Sequence, residues 1–428
     1  MSDVVRDVVE GRFFAPELGQ NLPSPIQLLE IAPSLAGRER ALVERVGLSG
    51  RLAVVADQNT TPVMGRRVHE ALERAELVVL DHPKADEATA AQLQDRVAGC
   101  DHLIAVGSGT INDLCKYVSH RTGRACAVFG TAASMDGYVT TTVSITRGGY
   151  KLTLPAQAPR GVFFDLEVMA AAPEFATLAG FGDTICRSVC QVDWLLSHLL
   201  LDTVYAETPY AMMAADEQPL YELAGRLKQG DQAAVLQLVR LSVLSGCGVL
   251  VTGTSHCGSM GEHQISHYID MLLRPHPGTL HGQQVGIATW TMARLQARYL
   301  ASDTPPVLAP LTFTDAELAR RYGELAGGVK EAIGRKPFDP AATARMNRRL
   351  QARWPEIRQK LLAVMLPLER MEDAIARAGM PRTAAEIGID PAFYRQAVRH
   401  ALEIRDRYGF LDLAAQAGGL DGFAAEET

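Results

Sequence analysis

The chain has 428 residues, ordinary apolar content, charges of both signs and a formal net charge of −7. That length allows two or three domains with real cores, and the composition excludes a disordered chain. The mild acidity argues against a general nucleic-acid or anionic-membrane binder, though not against a local basic pocket. Met1-Ser-Asp-Val-Val-Arg-Asp7 carries charge where a secretion signal needs an apolar core. No run of about 18 apolar residues suggests a spanning helix, so no membrane insertion is expected. Seven cysteines without framework spacing read as reduced thiols in a cytoplasm. Cys186 and Cys190 read as core packing.

In chain order, Arg51–Ala56 reads as a strand closed by Asp57-Gln-Asn59. Pro62–Glu76 has helical periodicity, Leu77–Leu80 is a second strand, and Asp86–Ala98 is an amphipathic helix. His102–Val106 is a third strand that runs into Gly107-Ser-Gly-Thr-Ile-Asn-Asp113, and Cys126–Phe129 is a fourth. This alternation implies a mostly parallel, Rossmann-like sheet over residues 1–165. After Val162-Phe-Phe-Asp165 the strand patterns stop. Helical patterns follow at Gly182–Leu201, Ala211–Lys228, Ala233–Val251, Gly261–Leu273 and onward, predicting an all-α domain over 166–428. The cleft between the two domains is the expected ligand site.

Two segments carry chemistry. Gly107-Ser-Gly109-Thr110 joins a strand to a helix, where glycines let a phosphate approach the backbone and the first helical amides. Asn112 occupies the place of the third glycine of a full dinucleotide fingerprint. Asp113 and Lys116 most simply form a helix-surface pair. Asp57 reads either as an acceptor for ribose hydroxyls or as a turn cap. In the second segment His263 and His267 share a helix face, and His281 follows a Pro- and Gly-rich break. Neutral imidazoles so grouped suit a borderline metal, with chance proximity as the alternative.

Taken together, Val55-Ala-Asp57, Gly107–Asp113, Thr131-Ala-Ala-Ser-Met-Asp-Gly-Tyr138, Lys151-Leu-Thr153, Ala179-Gly-Phe-Gly-Asp183, Asp193-Trp194, Gly261-Glu-His-Gln-Ile-Ser-His267, Leu280-His-Gly-Gln-Gln-Val285 and Ile404–Leu413 resemble the sn-glycerol-1-phosphate dehydrogenase family. That family sits within the wider dehydroquinate synthase and iron-containing alcohol dehydrogenase group. The resemblance implies one divalent metal, zinc or nickel, held by Asp183, His263 and His281, with Asp183 emerging at a helix start after Gly180. It implies His267 and Asp136 at the substrate. NAD(H) or NADP(H) would be held by Asp57, Gly107, Ser108, Gly109, Thr110, Ile111, Thr131, Ala132, Ala133, Ser134, Thr140 and Lys151. The implied reaction reduces dihydroxyacetone phosphate to sn-glycerol 1-phosphate; a homodimer is compatible with the family.

The sequence departs from the family where an Arg-Pro-Ala-Ser-Gly run is usual and His256-Cys-Gly-Ser-Met-Gly261 stands instead. A bidentate phosphate ligand is thereby missing. His256 reads either as a partial replacement when protonated or as a structural residue. Other readings are a dehydrogenase for another polyol phosphate or hydroxylated intermediate, a dehydroquinate-synthase-like lyase, and a non-catalytic relative. Asp183 as first ligand and sparse basic residues around 256–267 speak against the lyase.

Overall fold

The computed structural model describes residues 3–24 and 26–428. The chain forms two compact units, Met1–Thr184 with Ala211–Gly253, and Ile185–Tyr210 with Thr254–Thr428.

The first unit is built on six parallel strands: β1 (Leu28–Ala32), β2 (Leu52–Asp57), β3 (Glu76–Leu80), β4 (His102–Gly107), β5 (Cys126–Gly130) and β6 (Gly161–Asp165), in the order β1-β6-β5-β4-β2-β3. The central strands are nearly all Val, Ile, Ala and Phe because both faces of a parallel sheet are covered. Val54, Ile104, Val106, Phe129 and Phe163 are fully buried in one cluster on it. β2, β4 and β5 are neighbours, so their C-terminal ends bring Asp57, Gly107 and Gly130 to one edge of the sheet. That edge is where open α/β sheets take ligands. The helix α1 (Gly109–Thr122) begins directly there.

Several elements differ from the sequence reading. β1 and a hairpin, Thr142–Arg147 with Tyr150–Pro155, had no clear signal. Pro62–Glu76 is a shorter element, a π turn at Thr61–Gly65 followed by the helix Arg66–Ala71. The stretch from Gly182 is two helices, α2 (Glu174–Ile185) and α3 (Arg187–Leu201). Asp183 therefore lies near the C-terminal end of α2, not at a helix start.

The boundary expected at residue 165 falls inside the first unit, which runs on to Thr184 and also takes in α4 (Gln232–Thr252). α4 packs on Val4–Val9, Leu166–Ala170 and the Gly137–Val139 turn. It is also the one helix among the described residues long and apolar enough to cross a membrane, an apolar run the sequence reading did not credit to it, and 67% of its apolar window is buried. Burial against this unit accounts for its apolar character.

The second unit is helical. α5 (Gly261–Leu272) and α6 (His281–Leu300) pack on each other, and Pro340–Val364 packs on α3. The C-terminal segment reaches back to α3 and α5: Phe410 N donates to Asp193 Oδ1 at 3.1 Å, and Gln264 Nε2 donates to the Arg407 carbonyl at 3.0 Å.

Candidate functional site

In the first unit, Ser108 precedes α1 but its side chain makes no cap hydrogen bond. The opening amides of α1 thus have no side-chain cap of their own, the arrangement that receives an anion at a helix N-terminus. Gly107 ends β4, and its carbonyl accepts from Thr131 N at 3.1 Å, tying the two glycine- and alanine-rich turns together. A Cβ on Gly109 would meet nothing closer than the Met135 Sδ, at 3.3 Å. Gly109→Ala should therefore fold normally. Gly109→Val projects a branched chain where a pyrophosphate would approach, and should weaken dinucleotide binding. NADH fluorescence titration of both variants checks this, and wild-type affinity in the valine variant would make the turn purely structural.

The neighbouring loop is held from within. Lys116, read as a surface residue, is fully buried, and its Nζ donates to Gly137 O at 2.8 Å, Thr140 Oγ1 at 2.9 Å and Thr142 O at 2.9 Å. Burial pulls its pKa down to about 8. Asp113 is buried too and accepts from Ser144 N at 2.9 Å, so the two residues brace the loop instead of decorating a helix. The hydroxyl of Thr140 is committed to this network. Asp57 Oδ1 accepts from Asn59 N at 2.8 Å and Thr60 N at 2.7 Å, a turn-capping role for one of its two oxygens. Asp136 Oδ2 accepts from Ser245 Oγ at 2.8 Å, so α4 orients the Asp136 carboxylate. Lys151 pairs with Thr146 in the hairpin.

In the second unit, His263, His267 and His281 converge. Ring centroids are 5.0 Å apart for 263–281, 5.7 Å for 267–281 and 6.1 Å for 263–267. The i, i+4 pair on α5 and the start of α6 bring them together. Two rings have their Nδ1 engaged. His263 Nδ1 lies 2.7 Å from Glu262 Oε1. His281 Nδ1 lies 3.0 Å from Ser266 Oγ, whose proton goes to Gln284 Oε1 at 2.8 Å. Gln284 Nε2 in turn donates to Asp270 Oδ1 at 3.0 Å. Because Gln284 presents its oxygen to Ser266, Ser266 must accept from His281, which fixes the Nδ1–H tautomer. In both rings Nε2 is then the atom with a lone pair for a metal. The residues fit a divalent ion.

Glu262 is buried. Burial pushes its carboxyl up, but the His263 ring, the Cys190 thiol and the Met260 amide together hold it below its usual range. Cys186, Cys190, Glu262 and His263 have ligand atoms within 4.8 Å of one another. Cys190 Sγ donates to Glu262 Oε1 at 2.9 Å, and burial pushes that thiol well up. The thiol therefore serves as a donor that buttresses Glu262, consistent with packing and not with thiolate ligation.

The surroundings of His256 disfavour its cationic form. Burial, then the charges of Arg407 and Arg405, push its pKa down to about 3. The ring packs against Trp194, centroids 6.2 Å apart, and its Nδ1 lies 2.9 Å from Thr254 Oγ1. These contacts favour the structural reading of His256. The region around 256–267 is also less poor in basic groups than the local sequence implied, since Arg405 and Arg407 arrive from the C-terminal segment. Ser259, Glu262, Ser266, Gln284, Arg405 and Arg407 lay inside motifs the sequence reading quoted, without roles; Lys116 was read as half of a surface pair, and Ser245 gave no local signal.

Comparison with known proteins agrees with this picture. The iron-containing alcohol dehydrogenase family model matches residues 30–173. The NAD(P)+ glycerol-1-phosphate dehydrogenase of Thermococcus kodakarensis is 32% identical over 281 residues, 64% of this chain and 78% of that protein. The same enzyme of Haloquadratum walsbyi is 27% identical over 398 residues, 93% and 94% of the two chains. A crystal structure of a probable glycerol dehydrogenase from Sinorhizobium meliloti shares the fold, with a TM-score of 0.62 and 19% identity over 94% of this chain and 98% of that one.

Proposed function

Because the chain belongs to the sn-glycerol-1-phosphate dehydrogenase family, we propose that it catalyses the reversible, metal-dependent, NAD(P)H-linked reduction of dihydroxyacetone phosphate to sn-glycerol 1-phosphate. The observation that carries this reading is the convergence of His263, His267 and His281, with the Nδ1 atoms of two rings engaged by oxygen partners. Asp183, His263 and His281 would hold the ion; one carboxylate and two imidazoles suit a borderline cation such as zinc or nickel. The bound ion supplies Lewis acidity at the carbonyl oxygen, and the nicotinamide supplies hydride.

The chain's own residues do the rest. Glu262 and the Ser266–Gln284–Asp270 series hold two imidazoles in the ligating tautomer. His267, outside the ligand set, faces substrate and relays the proton to or from its hydroxyl oxygen. Asp136, oriented by Ser245, accepts a substrate hydroxyl. The uncapped start of α1 takes the cofactor pyrophosphate, flanked by Thr131–Ser134, and Asp57 accepts ribose hydroxyls through its second oxygen. Lys116 and Thr140 keep the adjoining loop closed.

The deciding assay is NADH oxidation with dihydroxyacetone phosphate, against unphosphorylated dihydroxyacetone. The phosphorylated ketone should be preferred by roughly 2–5 kcal/mol in kcat/KM, because donors built for a phosphate stay unpaired without it. Metal and NAD(H) binding without turnover of dihydroxyacetone phosphate would defeat the substrate assignment.

His256 gives a pH test. Its ring is neutral in the folded chain above a pKa of about 3 but titrates near 6.5 when unfolded. Between these values the unfolded state binds more protons, so the residue's effect on stability worsens as pH falls from about 6.5 toward 3. His256→Gln should soften acid unfolding and leave the pH profile of KM between 6 and 7 unchanged. A KM rise across that range that vanishes in His256→Gln would restore the imidazole as a phosphate ligand.

A further inference from the structure

Arg407 is buried and spends its guanidinium on one turn of chain: Nη2 donates to Ser255 Oγ at 2.8 Å, and Nη1 to the carbonyls of Ser255, at 3.3 Å, and Ser259. Arg405 lies beside it and is only partly exposed. Its single hydrogen bond is from Nη1 to Ser259 Oγ at 3.1 Å. Among the described residues no carboxylate forms an ion pair with either arginine.

Asp406 and Glu262 favour the charged form of both arginines through space, but the hydrogen bonds of the nearby carboxylates go elsewhere. Glu262 is taken by His263, Cys190 and the Met260 amide. Asp193 accepts from Gly261 N, Phe410 N and Gln296 Nε2. Asp406 turns to Arg335 at 3.4 Å. The amides of Met260 and Gly261, where α5 begins, are taken by Glu262 and Asp193.

We propose that Arg405, backed by Arg407 and Ser259, forms the subsite that holds the phosphoryl group of the substrate. A half-buried guanidinium beside a second, buried one is costly unless an anion neutralises the pair. A phosphate dianion fits that need, since its oxygens accept two parallel N–H bonds from one fork. Burial and then Arg407 draw the pKa of Arg405 down to about 9, against the opposing effects of Asp406 and Glu262. The position is apt: Ser259 leads directly into α5, which carries His263 and His267. Arg405 would thus supply a guanidinium that position 256 does not, from the family-like segment Ile404–Leu413, 146 residues from Ser259.

This inference rests on the phosphorylated-substrate reading only for the identity of the anion, and the experiment separates the two. Inorganic phosphate is titrated calorimetrically into metal-loaded wild type, Arg405→Met and Arg405→Lys, alongside kcat/KM for dihydroxyacetone phosphate and dihydroxyacetone. Wild type should bind phosphate, and Arg405→Met should not at concentrations that saturate wild type. The preference for the phosphorylated ketone should fall about 30-fold or more in Arg405→Met and less in Arg405→Lys, which keeps charge without the fork. If Arg405→Met does not fold, Arg405→Gln carries the same comparison. Equal phosphate affinity in wild type and variant, no phosphate binding by wild type, or an unchanged substrate ratio would each overturn the subsite. Arg405-dependent phosphate binding with no turnover of dihydroxyacetone phosphate would instead uphold the subsite and defeat the substrate reading.

Discussion

His263→Ala and His281→Ala should each yield folded protein without stoichiometric divalent metal and without turnover. Each change deletes a first ligand; since loss of an outer partner alone weakens metal binding by about 10–100-fold, removal of a ligand should exceed that. His267→Ala should keep the metal and lose turnover, because that ring sits 5.7 Å from His281 yet serves substrate in the proposed arrangement. Metal content by mass spectrometry, with competition against a chromophoric chelator, distinguishes the roles. Loss of metal from His267→Ala to the same degree as the other two would make it a ligand. Gln284→Leu is a finer probe: it breaks the series Asp270–Gln284–Ser266 that fixes the His281 tautomer, and should weaken metal affinity by about 10-fold or more.

The second large effect concerns Gly180. A Cβ there would lie 1.6 Å from the carbonyl oxygen of Ala133 and 2.6 Å from its carbon. Both contacts are backbone, so no rotamer change relieves them, and α2 or the Thr131–Ser134 turn must shift. Gly180→Ala should cost about 3 kcal/mol or more, at or beyond the usual range for overpacking, and should weaken NADH binding if that turn contacts the cofactor. Thermal unfolding with NADH titration reads both. A wild-type melting temperature and affinity would show that the helix yields without consequence. The contrast is Gly109→Ala, where the added carbon meets only a flexible methionine side chain.

Much of the chain was legible in sequence because its signals are local. Short Val- and Ala-rich runs before Asp57, Gly107 and Gly130 mark buried parallel strands, and their alternation with helices orders the sheet. The His263–His267 spacing puts two rings on one face by helical geometry alone, and the ordered motifs identified the family. What the sequence could not supply were pairings between distant segments. β1 lacks a clean alternation because it is an edge strand, partly exposed and paired only with β6. The membership of α4 in the first unit follows from packing on residues far away in sequence. Gly180 looked like a helix-start glycine, and only the approach of Ala133 shows why a side chain is excluded. The cationic cluster at Ser259 was read as absent because its arginines lie at 405 and 407. Local periodicity determines which elements form, whereas burial, tautomer and charge balance belong to neighbours in space, and those are decided only when the chain has folded.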